Sequence, residues 1–264
     1  MRMEDRERLP AIESCPCENP VALMLTHERP GLLTQTVASF WNTTCCVPLY
    51  LFDDGSQDPR KLGELKLVGA TGVKVQRLPP MGFAKAWLEI LRFAKDNLSR
   101  YDSLVLLEDD LIFARGWLET LQAMQKGITG IHLGQGMVSC FRPHDSPQTA
   151  VVDLGGVEAY QSMAHTFHVN LMPMSVLRHF EVIEESVEEV LATSRGLGLD
   201  VYLVGNLAHR LKRVSFVSMQ SWVAHIGTNS VVEGQGFGPC RHVGFNLVPE
   251  LEQLAERWRE RGVR

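Results

Sequence analysis

The chain has 264 residues, of which 22% are charged, 45% hydrophobic and 8% aromatic, an ordinary globular mixture that excludes a disordered or fibrous protein. A chain of this length buries roughly 70% of its unfolded surface and needs no disulfide or metal staple to fold. The formal net charge of −5, from 26 basic and 31 acidic residues, argues against a dedicated nucleic-acid binder and against a polybasic membrane patch.

The first ten residues are charged and polar, with no apolar h-region of a signal peptide. No run approaches the ~18 apolar residues of a transmembrane helix, so a cytoplasmic protein without a membrane span is expected. Cys15, Cys17, Cys45, Cys46, Cys140 and Cys240 lack zinc-ribbon spacing and read as reduced thiols. Residues 1–20 form a proline-punctuated leader. Val21 to Leu25 is a short, wholly apolar run, the mark of a strand buried on both faces. Pro30 is placed to open a helix at its tolerated first position, with Leu33, Val37 and Phe40 or Trp41 along one stripe. Val47 to Phe52 is a second buried strand, followed by Asp53-Asp54-Gly55-Ser56 and a polar stretch with a helix. Val73 to Arg77 is a third strand, Pro79 to Gly82 a loop, and Phe83, Trp87, Leu91, Ala94 and Leu98 repeat at helical spacing. Ser103 to Leu107 is a fourth apolar strand, closed by Glu108-Asp109-Asp110, and Gly116 to Lys126 is a helix. Strands alternating with helices predict a mostly parallel sheet flanked by helices.

The second half is less regular. Residues 127–172 read as short strands and glycine-rich turns. Ser175 to Thr193 is an amphipathic helix with Val176, Phe180, Ile183, Val187 and Val190 inside and its glutamates on a solvated face. Val201 to Arg210 is a helix, Val214 to Ser218 and Trp222 to His225 are strands, Gly234 to Gly238 is a mobile loop, and a charged amphipathic helix starts at Pro249. No repeat or linker interrupts the chain, so a single domain is expected.

Ligands of open parallel sheets bind beyond the carboxyl ends of the strands, where two acidic segments fall. Glu108-Asp109-Asp110 is three adjacent carboxylates at the end of a buried strand. Their repulsion is relieved by a hard divalent cation, which can then carry a diphosphate; alternatively one Asp caps the next helix and the others face water. Asp53-Asp54 can hold a base N–H or a ribose hydroxyl, or can serve as turn and cap. Asp200, after Gly-Leu-Gly-Leu, stands at a helix start as either an N-cap or a functional acid. His225, entering a glycine turn, is either a metal ligand or a core histidine. His165 and His168 are a weaker pair for an acceptor site.

The succession Val-Ala-Leu-Met-Leu-Thr-His-Glu-Arg-Pro, Leu-Phe-Asp-Asp-Gly-Ser and Leu-Leu-Glu-Asp-Asp resembles the nucleotide-binding half of GT-A glycosyltransferases, family-2-like, with the E-D-D form of the D-x-D metal motif. The resemblance is good over residues 21–126. Beyond them Ala-His225-Ile-Gly is similar to the H-x-G segment whose His completes the metal site in several GT-A enzymes, and the order of acid-tipped helix, strand and His225 is similar to that of several inverting members. The resemblance implies a GT-A (Rossmann-like) α/β fold with a nucleotide-sugar half (21–126), a smaller irregular acceptor-side half (127–248) and a C-terminal helix (249–264). It implies transfer of a sugar from a nucleoside-diphosphate sugar, UDP foremost, to a hydroxyl of a carbohydrate, glycolipid or other acceptor. Thr26, His27, Arg29, Asp53, Asp54, Lys85, Glu108 and Asp109 would then contact the donor. Asp110 and His225 would hold Mn²⁺ or Mg²⁺, the imidazole favouring Mn²⁺. Asp200 would be the general base of an inverting reaction. Lys85 is equally readable as a solvated helix lysine. Rival readings are a retaining transferase, a nucleotidyltransferase, disfavoured by the lack of a glycine-rich phosphate loop, and a non-catalytic nucleotide- or cation-binding protein.

Overall fold

A computed structural model describes residues 19–44, 47–130, 134–142, 149–162, 168–194, 198–226 and 246–260. Residues 1–18 of the leader, the Gly234–Gly238 loop, His165 and every cysteine except Cys140 lie outside them. Four parallel strands, ordered β3 (Lys74–Leu78), β2 (Leu49–Asp54), β1 (Pro20–Thr26) and β4 (Ser103–Glu108), form one half of a nine-stranded sheet. The sheet then turns mixed. β9 (Val169–Pro173) runs antiparallel to β4 and to β6 (Gly134–Ser139), and β10 (Arg213–Ser218) is parallel to β6. The hairpin of β7 (Val151–Asp153) and β8 (Glu158–Gln161) closes that edge. The parallel character read from the sequence belongs to the first half; the second is a mixed extension, joined to it through the antiparallel strand β9.

Strand alternation distributes the apolar residues to both faces. Ala22 and Met24 of β1 pack beneath α1 (Leu33–Thr43), α2 (Pro59–Ala70) and α4 (Trp117–Gly130). Val21, Leu23 and Leu25 pack beneath α3 (Phe83–Asn97), α5 (Phe180–Ser194) and α6 (Leu199–Leu211). Each buried aliphatic side chain contributes about 1.5–3 kcal/mol. The expected inner face of α5 (Val176, Phe180, Ile183, Val187, Val190) is buried throughout, although its first turn, Met174–His179, is a separate 3-10 segment. β5 (Leu111–Phe113) pairs antiparallel with β11 (Val223–His225), and α7 (Pro249–Glu260) packs over that pair through Leu251 and Ala255. Among the described residues no helix is long and apolar enough to cross a membrane.

Boundaries shift for local reasons. α1 starts at Leu33 rather than Pro30, because Glu28 (φ 46), Arg29 (φ 21) and Gly31 (φ 94) bend the chain through left-handed conformations first. β2 begins after Pro48, whose missing N–H cannot join a ladder, and runs on through both acids, with Asp53 opposite Arg77 and Asp54 opposite Leu78. α6 begins at Leu199 behind Gly198 (φ 76), which puts Asp200 inside the first turn and not at the cap.

Candidate active site

Sheet register assembles the site. Thr26 lies beside Asp53 and Leu25 beside Glu108, so the three central parallel strands deliver their last residues to one edge. The antiparallel partner β9 enters at the same edge, Leu107 pairing Val169, and the Glu108 N–H donates to His168 O at 3.3 Å. β11 arrives beside β5, and the Ile226 N–H donates to Asp110 O at 2.8 Å. Thr36 of α1 pins the backbone between: its Oγ1 donates to Asp109 O at 2.8 Å and accepts from Leu111 N at 2.9 Å.

Glu108, Asp110, His168 and His225 each present a ligand atom to the same spot, all within 4.8 Å of one another. His225 Nε2 is 2.9 Å from Asp110 Oδ2 and His168 Nδ1 is 2.8 Å from Glu108 Oε2. The two imidazoles stack with centroids 4.4 Å apart, and Phe141 meets His168 edge-on at 4.9 Å. Asp110 Oδ1 and His225 Nδ1 are buried without a hydrogen-bond partner. An unmet buried acceptor costs about 1–3 kcal/mol, so two orphans in one cluster fit a cation. Two carboxylates and two imidazoles suit Mn²⁺ or a neighbouring first-row ion better than Mg²⁺. Burial alone would raise the Asp110 pKa. The hydrogen bond and charge of His225, with Arg29 and His168, outweigh it and hold this carboxyl well below the ordinary range.

Asp109 turns inward. Oδ1 accepts from Arg29 Nη2 at 2.6 Å, while Oδ2 accepts from Lys61 Nζ at 2.8 Å and from Thr26 Oγ1. Lys61, on α2, is as fully buried as Asp109 itself. Thr26 is therefore a support of Asp109. Arg29 also donates from Nη1 to Asp110 Oδ2 at 2.5 Å. Burial opposes its charge, but Asp109, Asp110 and Glu108 overcome this and push its pKa above the usual arginine value.

The Asp53-Asp54 pair divides its tasks. Asp53 Oδ2 accepts from Ser56 N at 3.2 Å and Arg77 Nε at 3.1 Å, leaving buried Oδ1 unpaired. Asp54 accepts from Met81 N (2.8 Å) and Gly82 N (3.0 Å), which puts its negative charge at the start of α3. The Asp54 carbonyl meets His27 Nδ1 at 2.6 Å. Glu28 laces the same loops: its N–H donates to Ser56 Oγ at 2.8 Å, and its carboxylate accepts from Gln57 N (2.7 Å) and Asp58 N (3.1 Å). Lys85 stands on the exposed side of the first turn of α3.

Gly55 makes this lacing possible. It sits at φ 68, and a Cβ there would come within 2.6 Å of Pro80 N. Gly55→Ala is expected to cost roughly 2–4 kcal/mol, from left-handed backbone strain and overpacking together. Urea denaturation measures it; a loss below about 1 kcal/mol would show that the loops give way easily.

Asp200, in the first turn of α6, lies near enough to Glu108 and His168 to feel their charges. Burial, and secondarily the Glu108 carboxylate, push it up to about 6, against the Val201 N–H and His168, which pull it down. The structure therefore gathers Glu108, Asp110 and His225 from the expected residues and adds His168, expected on the acceptor side, with Asp200 within range of their charges. Lys61, Glu28, Thr36 and Arg77 went unread. Lys61 shares the buried face of α2 with Glu64, Leu65 and Val68; a lysine at that helical spacing within an apolar stripe was the available signal.

A mixed sheet with helices on both faces and an acidic cluster beyond its central strands defines a GT-A-like fold. In solved structures this arrangement is similar to GalNAc-T7, crystallised with UDP, GalNAc and Mn²⁺, at a TM-score of 0.55 and 15% identity over 91% of this chain. The match covers 48% of that protein, so the chain spans about half its length. No protein-family model and no curated protein matches the sequence.

Proposed function

We propose that the protein is a metal-dependent glycosyltransferase that moves a sugar from a nucleoside-diphosphate sugar, UDP foremost, to an acceptor hydroxyl with inversion. The observation that carries this reading is the convergence of Glu108, Asp110, His168 and His225 at the carboxyl end of β4, with Asp200 within range of the Glu108 and His168 charges. The GT-A-like fold supports it, as does the UDP and Mn²⁺ in the GalNAc-T7 structure.

Glu108, Asp110, His168 and His225 hold a divalent ion, which when bound offsets charge on a diphosphate leaving group. Asp53 offers its unpaired Oδ1 to the base or ribose. Asp54, His27 and Glu28 shape the wall of that pocket, and Asp109 anchors Arg29 and Lys61 beneath the ligand set. Asp200 accepts the acceptor hydroxyl proton as the new glycosidic bond forms and the bond from the anomeric carbon to the diphosphate oxygen breaks. The acceptor is a carbohydrate, glycolipid or other hydroxyl compound bound on the side of residues 127–248.

UDP with Mn²⁺ is expected to raise the melting temperature, corresponding to about 2.7 kcal/mol at a hundredfold excess over Kd. Chelator, or Asp110→Ala, removes most of this. UDP release from UDP-sugars with an acceptor panel, and NMR of the product anomer, test the reaction. Retention of configuration would replace the inverting reading. Stabilisation without release from any donor would leave a non-catalytic binding protein.

A further inference from the structure

Arg29 already engages Asp110, one of the proposed ligands. Its guanidinium forks across two adjacent carboxylates, with Nη1 2.5 Å from Asp110 Oδ2 and Nη2 2.6 Å from Asp109 Oδ1. Charge-assisted forks of this kind are strong and geometrically specific. The two acids, however, depend on Arg29 unequally. Asp109 keeps Lys61 Nζ at 2.8 Å and Thr26 Oγ1 whether or not Arg29 stays. Asp110 has Arg29 as its only arginine or lysine partner among the described residues; its Oδ2 otherwise meets His225 Nε2, and its Oδ1 meets nothing.

Arg29 is also the member of the trio able to move. Its side chain is 22% exposed, against 0% for both acids, and its buried Nε has no acceptor. The backbone beneath it is fixed, because Glu28 is tied on both its N–H and its carboxylate to Ser56, Gln57 and Asp58. Motion is therefore confined to the side chain. A divalent ion brings to Asp110 more charge than one guanidinium nitrogen supplies.

We propose that Arg29 is a tethered counter-cation of the acid pair, which yields Asp110 when a divalent ion binds while Lys61 and Thr26 keep Asp109 compensated. This rests on the divalent-ion reading of the four-residue cluster. The tether keeps the acids neutralised before the ion arrives and sets a threshold that an adventitious weak ion does not cross.

Calorimetric titration of the full chain with Mn²⁺ alone, comparing the parent with Arg29→Gln and Arg29→Lys, tests it. Lysine keeps the charge but cannot fork across two carboxylates. Both variants are expected to bind Mn²⁺ on the order of tenfold more tightly than the parent, the worth of one charge-assisted hydrogen bond. Both should melt earlier than the parent in chelator and recover that loss at saturating Mn²⁺. Tightening in Arg29→Gln alone means repulsion at a distance and overturns displacement. Parent-like or weaker affinity in both variants overturns the proposal while the ion site stands. No Mn²⁺ binding by any of the three removes the ion site and the proposal together. If Arg29→Gln does not fold, Arg29→Met takes its place beside Arg29→Lys.

Discussion

Asp200→Asn is expected to lower kcat by about a hundred- to ten-thousand-fold, the usual worth of a positioned general base, with little change in the stabilisation given by UDP and Mn²⁺. The split separates chemistry from binding: asparagine keeps the shape and the α6 first-turn position but accepts no proton. The pH profile supplies a second readout. Only the carboxylate is a base, so the parent's rate falls on the acid side as Asp200 is protonated. Burial and the Glu108 charge push that carboxyl up to about 6 in the metal-free protein, and a cation held by Glu108 would draw it lower. An unshifted Asp would hold its rate down to about pH 4. Stability runs the other way. A carboxyl whose folded pKa is raised contributes stability fully below its unfolded value near 4, and that contribution is lost as pH rises through about 6. Asp200→Asn escapes this loss and should be about 1–3 kcal/mol more stable than the parent at pH 7.5. Steady-state rates and urea curves at pH 5 to 8 check both signs. A variant with parental kcat would remove Asp200 from the chemistry.

The parallel half of this protein was legible because its signals are local. A strand buried on both faces is apolar at nearly every position, and Val21 to Leu25 and Leu104 to Leu107 meet that condition before abruptly turning polar. Acids following such runs fall at the carboxyl edge of the sheet wherever the strands are parallel, so Asp53-Asp54 and Glu108 to Asp110 could be placed without knowing the strand order. His225 was legible for a similar reason, lying at the end of a short apolar run.

His168 was not legible in that way. It joins Glu108 because β9 inserts antiparallel between β4 and β6, and strand order is a property of the whole sheet that no local pattern carries. The individual tasks of the acids were equally hidden. Asp109 and Asp110 are neighbours in sequence, yet one is turned inward onto Lys61 and the other toward His225. Which of two adjacent acids faces inward depends on where α2 brings Lys61 and where the left-handed turn at Glu28 and Arg29 throws the guanidinium. The segment of α2 is polar overall, and the signal in it is confined to Lys61 at the same helical spacing as Leu65 and Val68. Lys61 is fully buried where a solvated lysine would ordinarily be expected.

Lys61→Met should accordingly be the most damaging single change to stability in the site, at about 3–5 kcal/mol. Methionine matches the length and apolar stem of lysine, so packing in α2 is little disturbed. What is lost is the 2.8 Å ion pair to a carboxylate with no exposed surface. Arg29 still reaches Asp109 Oδ1, but Oδ2 keeps only the Thr26 hydroxyl. A buried charge stripped of one partner costs more than the pair contributed. The double variant Lys61→Met/Asp109→Asn removes that charge and should recover at least half of the loss. Recovery of this kind marks electrostatic imbalance; a merely volumetric defect would leave the double variant as unstable as the single one or worse. Urea denaturation of the parent, both single variants and the double variant gives the coupling directly. Additive losses, with no recovery in the double variant, would mean that Lys61 and Asp109 are not a functional pair and that α2 holds the acid motif by packing alone.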